Sequence, residues 1–178
     1  MFFIKNLLFK YGFYCMSANL YYRKKSKIHS SGLFAKKDIT AGTKIIEYKG
    51  PKITKAHSDR IADIHIAANQ KKGTNGAVYI FTLNKTHDIN GKVSWNTAKY
   101  INHSCDPNCE ADITRGKIWI SAIKDIKKDD ELSYDYGYDM HCYEDHKCRC
   151  GSKNCIGYIV RSNLRWRVEK KLKDKKRK

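Results

Sequence analysis

Three stretches of this 178-residue chain carry side chains that could do chemistry. The first is Cys148-Arg149-Cys150-Gly151-Ser152-Lys153-Asn154-Cys155, three cysteines in eight residues with small and polar residues between them. Thiolate is the preferred partner of zinc, and a structural zinc site is closed by four ligands in a tetrahedron. This stretch supplies three, so a fourth must come from elsewhere, with Cys105, Cys142, His141 and His146 as candidates. The second stretch is Asn102-His103-Ser104-Cys105-Asp106-Pro107-Asn108-Cys109, where a carboxamide and an imidazole stand side by side and Asp-Pro-Asn forces the chain round. The third is Glu131-Leu132-Ser133-Tyr134-Asp135-Tyr136-Gly137, whose tyrosines at i and i+2 point to one face of a strand. Twelve tyrosines against six phenylalanines leave many rings carrying a hydroxyl, which suits a polar, ring-lined pocket. Taken singly, the Asn-His pair reads as structural and the Tyr-Asp-Tyr strand as cross-strand packing.

The elements that must position these residues are mostly strands. Residues 26–48 read as a hairpin, with Ile28, Leu33, Phe34 and Ile39 apolar, a turn at Ala41-Gly42 and a second strand after it. Residues 55–70 read as a helix with Ile61, Ile64, Ala67 and Ala68 on one face. Residues 77–83 and 117–123 are β-branched and aromatic strands, with turn signals at Asn90-Gly91 and Arg115-Gly116. Residues 163–172 read as a helix capped by Asn163, with Leu164, Val168 and Leu172 on one stripe. The fold class is therefore mostly β with short helices. An apolar content of 41% supports one ordinary domain with a real core, and no apolar run approaches the length of a membrane span.

Seven cysteines, at 15, 105, 109, 142, 148, 150 and 155, are an odd number. The first fifteen residues are apolar but broken by Lys5 and Lys10 and lack a signal-peptide pattern, and Met16 is an alternative start. Without secretion a disulfide framework loses its warrant, while metal binding and reactive thiols gain one. The expectation is an intracellular protein, cytoplasmic or nuclear.

The net charge of +18 is concentrated at the ends, with +10 in residues 1–60, zero in 61–160 and +8 in 161–178. The basic ends are either solvated faces or a source of weak attraction to nucleic acid, and neither carries a nucleic-acid fold signature. Between Asp129 and Asp145 stand seven acids and no Lys or Arg. On so basic a chain this run is a candidate docking surface for a basic ligand.

In order along the chain, Gly32-Leu33-Phe34-Ala35, Glu47-Tyr48-Lys49-Gly50, the Asn-His-Ser-Cys stretch, the Glu-Leu-Ser-Tyr-Asp-Tyr stretch and the cysteine cluster closely resemble the SET-domain protein lysine methyltransferases that carry a post-SET zinc lobe. The resemblance runs from residue 26 to about 160. It implies a SET-domain (β-clip) fold with four parts: an N-terminal extension (1–25), the SET domain (26–140), the zinc lobe (141–160) and a basic C-terminal helix or tail (161–178). It also implies one structural zinc ion, with Cys105 joining Cys148, Cys150 and Cys155 as the fourth ligand.

The cofactor implied is S-adenosylmethionine, met by backbone around Ser31, Gly32, Leu33 and Phe34 and by Tyr100, Asn102 and His103, with Tyr158 covering the adenine. Tyr136 matches the family's catalytic tyrosine, which also meets the cofactor, and Tyr134 the position that sets how many methyl groups are added. Tyr48 and Tyr79 are candidate channel walls. The chain departs from the family pattern at Ser30, where the first glycine of a Gly-x-Gly turn is usual, at Trp95, where a glycine is common, and at Asn90, where aspartate is frequent. The activity implied is methyl transfer to the ε-amine of lysine in a basic protein such as a histone, by a monomer with no membrane attachment. The rival reading is a non-catalytic SET-like module seated on nucleic acid or chromatin through its basic ends. A zinc-knuckle nucleic-acid binder would leave the Tyr-Asp-Tyr strand unexplained.

Overall fold

The computed structural model describes residues 19–72, 78–141 and 143–177. Strand β1 (Tyr21–Lys25) pairs antiparallel with β2 (Ser31–Ala35), so Tyr21 lies opposite Ala35 and Lys25 opposite Ser31. The stretch assigned to the extension thus contains a strand of the fold. The hairpin expected over residues 26–48 does not form. β2 turns back on β1, while β3 (Lys44–Tyr48) crosses to β9 (Lys117–Ala122). The reason is Ile39. It makes a pair of backbone hydrogen bonds with Ile126, both 2.8 Å, which fixes the 36–43 segment to a distant loop rather than letting it fold back as a turn.

β8 (Cys109–Thr114) completes the sheet β3-β9-β8. Its hairpin with β9 turns through Arg115 (φ 51°) and Gly116 (φ 73°), the two successive positive φ values a tight two-residue hairpin requires. A second sheet has the order β4-β6-β5, built from β4 (Lys52–Thr54), β5 (Ile80–Thr82) and β6 (His87–Asn90). The expected strand over 77–83 is present as β5, and residue 77 lies outside the described residues.

Helix α1 (Lys55–Lys72) forms where the sequence places it, but not with the expected buried face. Ile64 is 68% exposed. What fixes the helix is its first turn, where buried Asp88 on β6 accepts hydrogen bonds from Lys55 Nζ and Ser58 Oγ. A polar anchor of this kind is invisible to a count of apolar periodicity.

The main core gathers Leu33, Ile45, Ile118 and Ile120 from strands β2, β3 and β9, and Ile39, Ile101, Ile126 and Leu132 from the segments between strands. Each such side chain contributes roughly 1.5–3 kcal/mol by leaving water. A second, smaller core of Tyr143, Val160 and Val168 joins the cysteine lobe to helix α2 (Arg165–Lys176). The predicted stripe of Leu164, Val168 and Leu172 is the face that packs there. Asn163 is not the cap: a 3-10 turn over Ser162–Leu164 precedes α2, and the residue before the helix is Leu164, with no side-chain cap.

Gly91 follows β6 where the Tyr48 ring passes, and a Cβ there would stand well inside contact distance of the Tyr48 hydroxyl and ring. Gly91→Ala should therefore lower stability by about 1–3 kcal/mol through forced displacement of a buried ring. Urea unfolding should show a lower midpoint with an unchanged slope; an unchanged midpoint would mean that Tyr48 moves at no cost.

Candidate active site and metal centre

Two very short strands build the site. β7 (Asn102–His103) and β10 (Ser133–Tyr134) lie parallel, with Asn102 opposite Ser133 and His103 opposite Tyr134. The sheet pairing thus joins the second and third motifs of the sequence. Asn102 Nδ2 donates to Glu131 Oε1 (2.7 Å), to the Ser31 carbonyl (3.1 Å) and to Ser26 Oγ (3.2 Å). Ser26 Oγ in turn donates to Glu131 at 2.7 Å. Gly32 makes this meeting possible, because a Cβ on it would collide with the Glu131 carboxylate. Ser30, in place of the usual glycine, sits at φ 40°. The turn does need a left-handed residue, and serine adopts that conformation at a cost of order 1 kcal/mol.

His103 is held at both ring nitrogens. The Tyr136 backbone N–H donates to Nδ1 (3.2 Å), which leaves Nε2 to carry the proton and face Cys105 Sγ at 3.5 Å. Asp135 Oδ1 lies 3.7 Å from Nδ1, but with Nδ1 already accepting a hydrogen bond the contact is not an ion pair. The Tyr136 hydroxyl donates to the Ile101 carbonyl at 2.9 Å.

Tyr48, Tyr79, Tyr134, Tyr136 and Tyr138 line one cavity of about 330 Å³ together with Phe81, Ile101 and Arg161. The rings form a continuous run: Tyr48 to Phe81 (5.3 Å between centroids), Phe81 to Tyr134 (6.1 Å), Tyr134 to Tyr136 (5.0 Å), Tyr136 to Tyr138 (5.7 Å). Burial pushes the Tyr134 and Tyr136 phenols well above their ordinary value, and neighbouring tyrosines add to the shift. Tyr48 is raised for the same reasons, burial first. At neutral pH these hydroxyls are hydrogen-bond donors and not bases.

The residues expected to meet a cofactor are only partly together. Ser31 and Gly32 adjoin Asn102, as described. Tyr100 lies beneath the Arg23 guanidinium, 3.7 Å from ring centroid to Cζ, and Arg23 also donates to Ser31 Oγ at 3.0 Å. The Leu33 side chain is in the core and Phe34 is buried beside Tyr22 and Lys24, so at these two positions only backbone is left to face a ligand. Tyr158 packs edge-on against Tyr143 in the cysteine lobe. Sequence reading missed Arg23, Phe81, Glu131 and Tyr138. Phe81 was legible as part of the aromatic strand, whereas Glu131 needed the contact with Gly32.

Cys105, Cys148, Cys150 and Cys155 bring their sulfurs within 4.8 Å of one another. A tetrahedral zinc with Zn–S of about 2.3 Å separates its sulfurs by about 3.8 Å, and the Cys105–Cys148 separation is 3.9 Å. The donor set therefore fits zinc. The Cys148 thiol bonded to Cys105 pulls Cys105 down to about 3, helped by His103 and Arg165, and the same bond pushes Cys148 up. Among the described residues this is the one cluster with a metal's ligand spacing, and Cys142 lies outside them. Cys109 is an ordinary buried thiol, raised to about 12 by desolvation.

Arg165 ties the lobe to the site. Its guanidinium donates to the Cys105 carbonyl (2.6 Å), to the Val160 carbonyl (3.0 Å) and to Asp135 (2.8 Å). Much of the acidic run, a candidate docking surface in the sequence, is paired within the chain. Asp135 is taken by Arg165, Asp139 by Arg161 (3.4 Å), Glu144 by Lys175 (2.7 Å), Glu131 by Asn102, and Asp129 by the Tyr22 hydroxyl (2.7 Å). Three of the seven acids are thus met by the chain's own basic end.

Comparison with known proteins agrees with this geometry. The SET domain family matches residues 30–137, and the chain belongs to it. It is 36% identical over 141 residues to a "Histone-lysine N-methyltransferase, H3 lysine-4 specific" of Aspergillus oryzae, covering 76% of this chain and 11% of that protein. It is 38% identical over 143 residues to "Histone-lysine N-methyltransferase trr" of Drosophila melanogaster (77% and 6%), and 37% identical over 143 residues to "Histone-lysine N-methyltransferase 2D" of Homo sapiens (77% and 2%). The chain thus spans only a small part of the length of these relatives. No helix among the described residues is long and apolar enough to cross a membrane.

Elemental analysis of the purified protein should find one zinc per chain. Cys105→Ser should lose most of it, because a closed four-ligand site tolerates no missing thiolate. Full retention would move the fourth ligand elsewhere.

Proposed function

We propose that this chain transfers a methyl group from S-adenosylmethionine to the ε-amine of a lysine in a basic protein, with a histone tail as the first substrate to test. The observation that carries the reading is the convergence of Tyr48, Tyr134 and Tyr136 on one cavity directly beside the Asn102–His103 strand. The histone assignment comes from the names of the relatives. The nuclear compartment follows from that substrate.

The residues present suit the cofactor. The Ser31-Gly32 backbone and the Asn102 carboxamide already form a polar cluster, and Gly32 lets the Glu131 carboxylate close in on it. His103 and the Tyr100 ring extend it, Leu33 and Phe34 contribute backbone, and Tyr158 enters from the metal lobe. S-adenosylmethionine supplies an electrophilic methyl group on a sulfonium.

In-line transfer requires the amine to be held collinear with the methyl group and its sulfur. Tyr48, Phe81 and Tyr134 wall the channel that fixes the lysine stem, and Tyr136 stands where the amine arrives. The Ile101 carbonyl, which now accepts the Tyr136 hydroxyl, is an acceptor aimed at the same point. Desolvation in the channel and the like charge of a bound sulfonium would both disfavour a charged ammonium, so the amine loses its proton to solvent before transfer. The Cys105–Arg165–Asp135 tie holds the Tyr134-Asp135-Tyr136 segment in place.

Labelled cofactor incubated with a histone panel is the direct test. Label on a histone lysine is expected; cofactor binding without transfer would support a non-catalytic module. Tyr136→Phe should slow transfer by on the order of 10²-fold or more, the range that positioned polar groups contribute, with cofactor affinity nearly unchanged. Tyr134→Phe should keep activity and add higher methylation states to the product mass spectrum, since it removes a hydroxyl that restrains the product amine. Full activity in the first variant sinks the role of Tyr136, and an unchanged product distribution in the second sinks that of Tyr134.

The pH dependence has a definite sign. A free lysine loses its proton near ~10.4, so its reactive fraction grows with pH. The raised Tyr134 and Tyr136 phenols keep their protons throughout that window. The rate of the chemical step should therefore climb from pH 7 to pH 9 with no falling limb. A descending limb in that window would mean that a tyrosine ionises there.

A further inference from the structure

We infer that the outward face of α2 is a nucleic-acid-binding surface, independent of whether the catalytic reading holds. The helix divides its cations in two. On the inner side, Arg165 and Lys175 pair with Asp135 and Glu144, and just ahead of the helix Arg161 pairs with Asp139. Val168 and Leu172 occupy the same side, packed on the lobe. On the outer side stand Trp166, Lys170, Lys173 and Arg177, spaced i, i+4, i+7 and i+11 and all exposed. Arg167 and Lys176 flank them. Among the described residues none of these five cations forms an ion pair with an acid, although the same helix pairs its inner ones.

The outer face is therefore not a leftover of general basicity. The helix's own acids, Glu169 and Asp174, come within ion-pair distance of none of these five cations, and the acidic run pairs only with the inner ones. Lys153, from the cysteine lobe, lines a groove of about 370 Å³ with Lys173 and Lys176, three cations against the single acid Glu169. From Trp166 to Arg177 the stripe is about 16 Å long at 1.5 Å per residue. Duplex DNA presents one negative charge per ~1.7 Å of axis, so a stripe of that length meets a dense row of phosphates.

Trp166 selects among anionic partners. It is 59% exposed, with Arg167 5.2 Å from its ring as its cation–π neighbour. A membrane-surface helix needs a broad apolar face to bury in the headgroups, and here the apolar face is already spent on the lobe. A lone exposed indole among cations suits stacking on an unpaired base, with phosphates on the lysines.

Fluorescence anisotropy of the full chain with a labelled 20-nucleotide single strand and a 20-base-pair duplex tests this. Binding should weaken steeply with salt, and K170A/K173A/R177A should flatten the slope of log K against log salt by about 2–3, one phosphate contact per cation removed. Trp166→Ala should weaken the single strand about tenfold and the duplex less. Circular dichroism of each variant establishes that α2 remains folded. An unchanged salt slope in the triple variant, or tighter binding to vesicles of 7:3 phosphatidylcholine and phosphatidylserine than to either nucleic acid, would overturn the inference.

Discussion

The parallel pairing of two dipeptides, Asn102-His103 and Ser133-Tyr134, is the constraint on which the rest of the site depends. Parallel strands cannot be joined by a tight turn, and the connection here is the β8–β9 hairpin with the loop that follows it. Because so few ladder bonds hold the pair, side chains must fix its register. Asn102 does so by donating to Glu131 and to the Ser31 carbonyl, and the Tyr136 backbone does so by donating to His103. Hydrogen bonds to a charged carboxylate contribute roughly 1.5–3 kcal/mol each, against about 1 kcal/mol for a neutral pair. The Glu131 contacts therefore outweigh the ladder they support.

The same register couples the metal lobe to the cavity. Only Ser104 separates His103 from Cys105, and the His103 ring faces the Cys105 sulfur while accepting from the Tyr136 backbone. Arg165 closes the loop from the other side by donating to the Cys105 carbonyl and to Asp135. A metal held by the four thiols would act on Cys105, and Cys105 is one side chain away from the backbone that presents Tyr136. The lobe is thereby linked to the backbone that presents Tyr136 through His103 and Arg165.

The sequence made the chemistry more legible than the packing. The three motifs were visible as residue types at fixed spacing, and the sulfurs of Cys105 and the three-cysteine cluster do come together at a spacing that could hold a metal. Strands read from β-branched and aromatic runs appeared close to their places. What failed rests on contacts distant in sequence. The 26–48 hairpin was lost to the bridge between Ile39 and Ile126, and the buried face assigned to α1 was overridden by the Asp88 anchor. Ser30 marks the opposite case. The departure from glycine was legible, and the structure shows the left-handed backbone that the usual glycine would have relieved.

Charge was the least legible property, because its meaning lies in pairing and not in composition. The acidic run and the basic end looked like two separate surfaces, one for a basic ligand and one for an acidic one. In the fold they are partly the same contact: Asp135, Asp139 and Glu144 take Arg165, Arg161 and Lys175. Of these only Arg165–Asp135 is largely shielded from water, with the arginine side chain 11% exposed. The two exposed pairs contribute at most about 1 kcal/mol each and are screened by salt, whereas a buried arginine that loses its carboxylate partner costs several times that. The anchoring of α2 therefore falls to Arg165 and the Val168 cluster, and the outer cations contribute nothing to it. A residue that stabilises nothing in its own fold is free to be shaped by what lies outside it, so the outer stripe of α2, unlike the inner one, is left open to a partner.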